Sequence, residues 1–272
     1  MTRPAVDRLF AIVERELSTV VRTRAFLVLG GGFAAIVVAL AWSGGSAGYT
    51  PLVLDLLTPV EVLVPALAFA FGYRSVLGDA ERGELDLIRS YPVSRATYVG
   101  GVYLGRAAAL LIAVLGPLLA VAAFVVLSPG TKTSVIASHS GMDSPVLYLR
   151  FLFLTAVFAL VAMGAAVAVS AAARSTRAGL AVAVAFGVAL ILGFDAGVVA
   201  GLSGGLLSAE TIEPLLALSP NSAYRGLVLD TALSGVAGGV PASPLVNALG
   251  LVAWLLGSLA LATLTVWSAT WS

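Results

Sequence analysis

Six long apolar runs constrain this chain more than anything else in it, at about 25–43, 52–73, 98–127, 148–173, 178–200 and 246–268. About 20 helical residues cross the roughly 30 Å hydrocarbon core of a bilayer, and in that solvent each backbone amide must find its partner inside the segment. The chain therefore reads as an all-α integral membrane protein, a single transmembrane domain over residues 1–272. Composition agrees. Sixty per cent of the residues are hydrophobic and 11% are charged, and the mean hydropathy is +1.04, more apolar surface than a water-soluble globule needs. Zero cysteines exclude disulfides and thiolate chemistry, and a single histidine, His139, excludes a multi-histidine metal site within one chain. A net charge of +1 with dispersed arginines excludes a groove for nucleic acid.

Six spans place both termini on one side of the membrane. Basic residues choose that side: twelve of the fifteen lie in 1–24, in 74–106 or at Arg174 and Arg177, leaving Lys132, Arg150 and Arg225 opposite. The positive-inside rule makes the first set cytoplasmic, which predicts a multi-pass protein of the cell membrane with both termini in the cytoplasm. Residues 4–24 repeat apolar side chains at Val6, Leu9, Phe10, Val13, Leu17, Val20 and Val21 with charges between them, the pattern of an amphipathic helix lying along the bilayer surface. Their mixed charges do not suit a secretory signal.

Two outer connections are long. Residues 128–147 are rich in Ser, Thr, Gly and Pro and read as an irregular excursion. Residues 201–245 hold two short apolar segments broken at Ser219-Pro220-Asn221, suited to shallow helices at the outer interface. Pro65 and Pro117 should bend the second and third spans. Small residues one turn apart, Gly164 with Ala168 and Ala253 with Gly257 or Ser258 with Ala262, mark close helix approaches, either within the chain or at a seam between two copies.

Catalytic constellations are missing from the sequence. The only lysine, Lys132, lies in an outer loop, so no phosphate loop ending in Lys-Ser or Lys-Thr exists, and no base stands ready for a serine nucleophile. The chain is expected to hydrolyse no ATP and to hold no cofactor of its own. His139 with Met142 and Asp143 could offer ligands to copper, but three residues in a flexible loop read more readily as solvated.

Two features remain as candidate sites. Glu61 and Asp195 are acids within the second and fifth spans, either reaching the outer interface or lining a path or an outer-partner contact. Arg106, near the inner end of the third span, should snorkel to the headgroups. The larger feature is the charged passage 74–97 between the second and third spans, RSVLGDAERGELDLIRSYPVSRAT. Acids near Gly78 suit a helix start, Leu85, Leu87 and Ile88 give it an apolar edge, Tyr91-Pro92 stops it, and Ser94 can cap the next helix. The result is a short amphipathic helix held between two spans, a rigid knob for a partner or else an ordinary solvated loop.

The pattern Glu81-x-Gly83-x-Leu85-x-x-Ile88-x-Ser90-x-Pro92-Val93-Ser94-Arg95 in that position resembles the coupling loop of ABC-2 type permeases, the membrane subunits of ATP-binding-cassette transporters. Glu14–Leu29 resembles the amphipathic entry helix of that family. Leu218–Asp230, with Asn221, Tyr224 and Arg225, resembles an outer-loop passage of its Nos branch, which serves copper-site maturation of nitrous-oxide reductase. Glu84 departs from the Thr or Ser common in the family. The resemblance implies a homodimer of twelve spans over two separate ATPase subunits, which carry the ATP and magnesium. It assigns the coupling surface to Glu81, Gly83, Leu85, Ile88, Pro92 and Arg95. It also makes Glu61, Asp195, Tyr224 and Arg225 candidates for a path or for contact with an extracytoplasmic partner. A general ABC-2 exporter of lipids or drugs, an ion-driven secondary transporter, a six-span scaffold and an intramembrane enzyme are the competing readings.

Overall fold

The computed structural model describes residues 5–43, 48–127, 144–189, 200–201, 204, 218–232 and 243–267. Among them the regular structure is helical: α1 Ala5–Arg22, α2 Arg24–Ser43, α3 Tyr49–Gly72, α4 Leu77–Glu81, α5 Glu84–Ser90, α6 Arg95–Leu127, α7 Pro145–Ala172, α8 Thr176–Val188, α9 Pro220–Thr231 and α10 Pro244–Thr265. Five of these, α2, α3, α6, α7 and α10, are long and apolar enough to cross a membrane. The expected span at 178–200 begins within α8, and residues 190–199 lie outside the described residues. So do the excursion at 128–143 and most of 201–217.

Capping chemistry sets several boundaries. Ser144 and Ser219 each precede a proline and accept a backbone N–H of the first turn, from Val146 at 3.2 Å and from Ser222 at 3.3 Å. The proline supplies a preset φ and needs no donor there, so serine and proline together start α7 and α9. Ser175 does the same for α8 through Ala178 N–H at 3.3 Å. The helices continue through Pro65 and Pro117, so the second and third apolar runs each form one uninterrupted helix.

α3 and α7 form the centre of the bundle, each more than half buried, with the other spans around them. Their approach depends on Gly72, where a Cβ would stand 2.7 Å from that of Ala166. Gly164 faces Leu255 and Ser258 of α10, so these small residues serve packing inside the chain, whereas a Cβ on Gly257 would meet open space.

One expectation is extended and one corrected. The expected amphipathic helix is present as α1, and it is also packed into the bundle. One face of α1, through Leu9, Ile12, Val13 and Glu16, lies against Gly100, Gly101 and Gly105 of α6. The other, with Val6, Phe10 and Val21, is exposed. The charged passage forms two short helices instead of one. The chain turns between α4 and α5 at Gly83, whose φ of 71° is a left-handed conformation that a side chain would strain.

Candidate functional site

At one end of the bundle, α1, the α3–α6 connection and the start of α6 bring together three arginines and three carboxylates. Asp79 on α4 is 2% exposed. Its carboxylate accepts from Arg15 Nη2 at 2.5 Å, from Arg82 Nη2 at 2.7 Å and from the Tyr98 hydroxyl at 2.7 Å. Arg82 also donates to Glu84 Oε1 at 2.7 Å, and Arg15 Nη1 reaches Glu84 Oε2 at 3.4 Å. Arg15, Asp79, Arg82 and Glu84 thus close a ring of alternating charge.

The ring extends inward. Arg15 Nη2 donates to Glu16 Oε1 at 2.7 Å, and Arg106 Nε donates to Glu16 Oε2 at 2.7 Å. Arg106 also donates to the Phe71 carbonyl at 3.1 Å, and its guanidinium lies 5.6 Å from the centre of the Phe26 ring. Arg106 is therefore buried and paired, and it does not snorkel to the headgroups. Charge balance explains how so many ions tolerate burial: each carboxylate has two guanidinium partners, which offsets the several kcal/mol that desolvating an ion costs. Burial works against the charge on Arg15, but the carboxylates of Asp79 and Glu16 outweigh it and raise its pKa above the usual value. The Arg82 guanidinium lowers the Glu84 carboxyl below its usual range.

A second set of contacts braces the connection from α7 and α8. The Ser170 hydroxyl accepts the backbone N–H groups of Val76 and Leu77 at 3.0 and 3.1 Å, satisfying donors exposed by the turn that ends α3. Glu81 accepts from Arg74 at 3.0 Å and from the Thr176 hydroxyl at the start of α8.

Among the residues expected at this surface, Glu81 is engaged within the chain and Gly83 supplies the turn. Leu85 points into the core at 2% exposure, Ile88 packs at its edge, and Pro92 is exposed. The Arg95 guanidinium stands 5.4 Å from the Trp267 ring centre. The face open to solvent instead carries Leu87 and Tyr91, 60% and 61% exposed. Tyr91-Pro92 ends α5 and Ser94 caps α6 through Thr97 N–H at 3.0 Å, both as the sequence indicates. The apolar edge of α5 was legible in the sequence, but which of its residues faced outward was not.

The second candidate group assembles at α9. Glu61, 2% exposed near the middle of α3, receives both Nε and Nη2 of Arg225, at 2.7 and 2.6 Å. Tyr224 is fully buried, stacked on Phe158 with centroids 4.5 Å apart and hydrogen-bonded to Thr155 Oγ1 at 2.9 Å. Arg150 donates to the Thr231 carbonyl at 2.8 Å, and Trp254 donates to that of Leu218 at 2.7 Å. Three of the four residues expected here, Glu61, Tyr224 and Arg225, therefore meet, in contacts that clamp α9 to α3 and α7. Asp195, His139, Met142 and Asp143 lie outside the described residues.

A family model described as "ABC-2 family transporter protein" matches residues 10–268. The chain belongs to the ABC-2 transporter family. Two curated relatives carry the name "Probable ABC transporter permease protein NosY". The one from Pseudomonas aeruginosa is 30% identical over 270 residues, covering 93% of this chain and 95% of that protein. The one from Stutzerimonas stutzeri is 30% identical over 230 residues, covering 81% and 80%. As an ABC-2 permease, the chain is the transport component of a system whose ATPase is a separate partner.

Sequence reasoning passed over Arg15, Glu16 and Asp79. A signal existed: Glu16 falls on the stripe defined by Leu9, Val13 and Val20, where an acid must meet a cation, and Gly101 with Gly105 leaves a helical groove one turn long for that stripe.

Proposed function

We propose that the α4–α5 connection is the surface on which an ATP-binding-cassette ATPase docks, so that ATP binding and hydrolysis there drive the membrane helices. The observation that carries this reading is the outward pair Leu87 on α5 and Tyr91 at its end, on a connection braced from behind by the ion ring at α4 and α5 and by Ser170 and Thr176 at α4. A rigid backing with an apolar tip is what a force-bearing contact requires, since a loose loop would absorb the displacement. The docking set is then Leu87, Tyr91 and Pro92. Glu81, Gly83 and Leu85 fix its shape, with Ile88 and Arg95 at its borders.

In the same reading the apolar run at 178–200 completes six spans, and two copies form the working permease with the coupling face and both termini in the cytoplasm. ATP and magnesium belong to the partner ATPase. Similarity to the two NosY permeases supports a place in copper-site maturation of nitrous-oxide reductase, with an extracytoplasmic partner beside α9.

The test is co-purification of the tagged permease with its ATPase from membranes. Leu87→Asp combined with Tyr91→Asp should abolish recovery of the ATPase while leaving the amount of permease in the membrane unchanged. Leu85→Asp should instead reduce the amount of folded permease. Full recovery of the ATPase with the double variant would sink the docking assignment.

A further inference from the structure

Arg15 is the only residue of α1 in the charge ring, and it touches carboxylates on three elements: Glu16 of α1 itself, Asp79 of α4 and Glu84 of α5. The same stretch of α1 is seated on α6, where Cβ atoms at Gly101 and Gly105 would stand 2.7 Å from Ile12 and 2.6 Å from Glu16. Asp79 is tied in turn to Tyr98 in the first turn of α6. Every strong contact of the coupling connection on this side thus runs to α1 or to the start of α6.

Packing on the other side differs. Beside the ring, toward α2 and α3, lies a cavity of about 740 Å³ with Phe26, Leu29, Ala70 and Tyr73 on its far wall, bridged by Arg106 through the Phe71 carbonyl and the Phe26 ring. Close-packed interiors transmit displacement, whereas a space this large lets neighbouring bodies shift relative to one another. A single guanidinium can hold three carboxylates at once because its donors form a planar fork, which a lysine ammonium does not supply.

We infer that Arg15 is a positioning residue that locks α1, α4, α5 and the first turns of α6 into one moving unit, so that the amphipathic helix is part of the input lever. The inference rests on the docking reading for what pushes the unit, but the lock itself is a property of the permease alone. Asp79 carries the load from α4, Glu84 from α5, and Glu16 with Arg106 anchors both to α6.

The chain has no cysteine, so pairs of spin labels can be placed without removing native thiols. Labels through Glu14→Cys and Ser90→Cys report within the unit, and labels through Ser90→Cys and Leu29→Cys report across the cavity that bounds it. In the assembled complex, trapping nucleotide should shift the Ser90–Leu29 distance and leave Glu14–Ser90 unchanged. In the permease without ATPase, Arg15→Gln should replace the single narrow Glu14–Ser90 distribution by a broad one. Arg15→Lys keeps the charge and protects folding, yet should still broaden it. A Glu14–Ser90 distance that moves with nucleotide in the otherwise unaltered protein, or one that stays narrow in both Arg15 variants, overturns the lock. Narrow Arg15 variants alongside a Leu87→Asp/Tyr91→Asp variant that loses the ATPase would count against the lock only, and broadened Arg15 variants alongside a double variant that still recovers the ATPase would count against the docking reading only.

Discussion

Glu61 sits midway along α3, roughly 16 Å along the helix axis from Gly72. An ionised carboxylate at that depth needs a cation, and the two hydrogen bonds from Arg225 supply one in the planar geometry that suits a guanidinium. The pair therefore works as a clamp on α9. Removing its cation by Arg225→Leu should cost about 3 kcal/mol, because the carboxylate remains buried, and Glu61→Leu is the matching single change. Replacing both partners by leucine should cost less than either single change, since the desolvation penalty leaves with the charges. Thermal unfolding of the purified permease and its three variants completes the cycle, and strictly additive losses would remove the clamp. The sequence exposed Glu61 as an oddity inside an apolar run, but its partner lies 164 positions away, and no local pattern joins the two. Leu85 and Leu87 teach the same lesson at shorter range. They are two residues apart on one short helix, and only the tertiary packing, which takes Leu85 into the core and leaves Leu87 outside it, decides which is core and which is surface.

The helices were the most legible level of this protein. Runs of about 20 apolar residues, serine caps and prolines are local signals, and α2, α3, α6, α7 and α10 follow them closely. Less visible was the role of α1. Its apolar face suggested a membrane surface, whereas half of that face is committed to α6. The glycines decide this. Gly105→Ala would bring a Cβ to 2.9 Å from the Val13 carbonyl oxygen and 2.6 Å from the Glu16 Cβ, forcing α1 off its seat. Overpacking of this kind costs about 1–3 kcal/mol. Gly31→Ala on α2, where a new methyl meets nothing within 4 Å, should be neutral or slightly stabilising. Melting temperatures of the two variants check the contrast, and equal effects would contradict the seat. The break at Gly83 escaped the sequence reading because a glycine between two charged residues, Arg82 and Glu84, is also compatible with one continuous exposed helix.

For the whole molecule, the two charge clusters sit at different depths and do different work. One clamps α9 against α3 and α7, and the other gathers α1, α4, α5 and the start of α6 at a single end. α3 connects them, since Glu61 lies at its middle and its last turn leads directly into α4. The α4–α5 end is thus joined to α9 by covalent and ion-paired contacts along α3. The contact that matters most is between the ATPase and the tip of α5. A cross-linking measurement in native membranes addresses this directly, using Leu87→Cys in the cysteine-free permease and, as control, Ser144→Cys at the start of α7. A cross-link to the ATPase from position 87 and none from position 144 is the predicted result; no cross-link from 87 with the ATPase present, or one from 144, would contradict it.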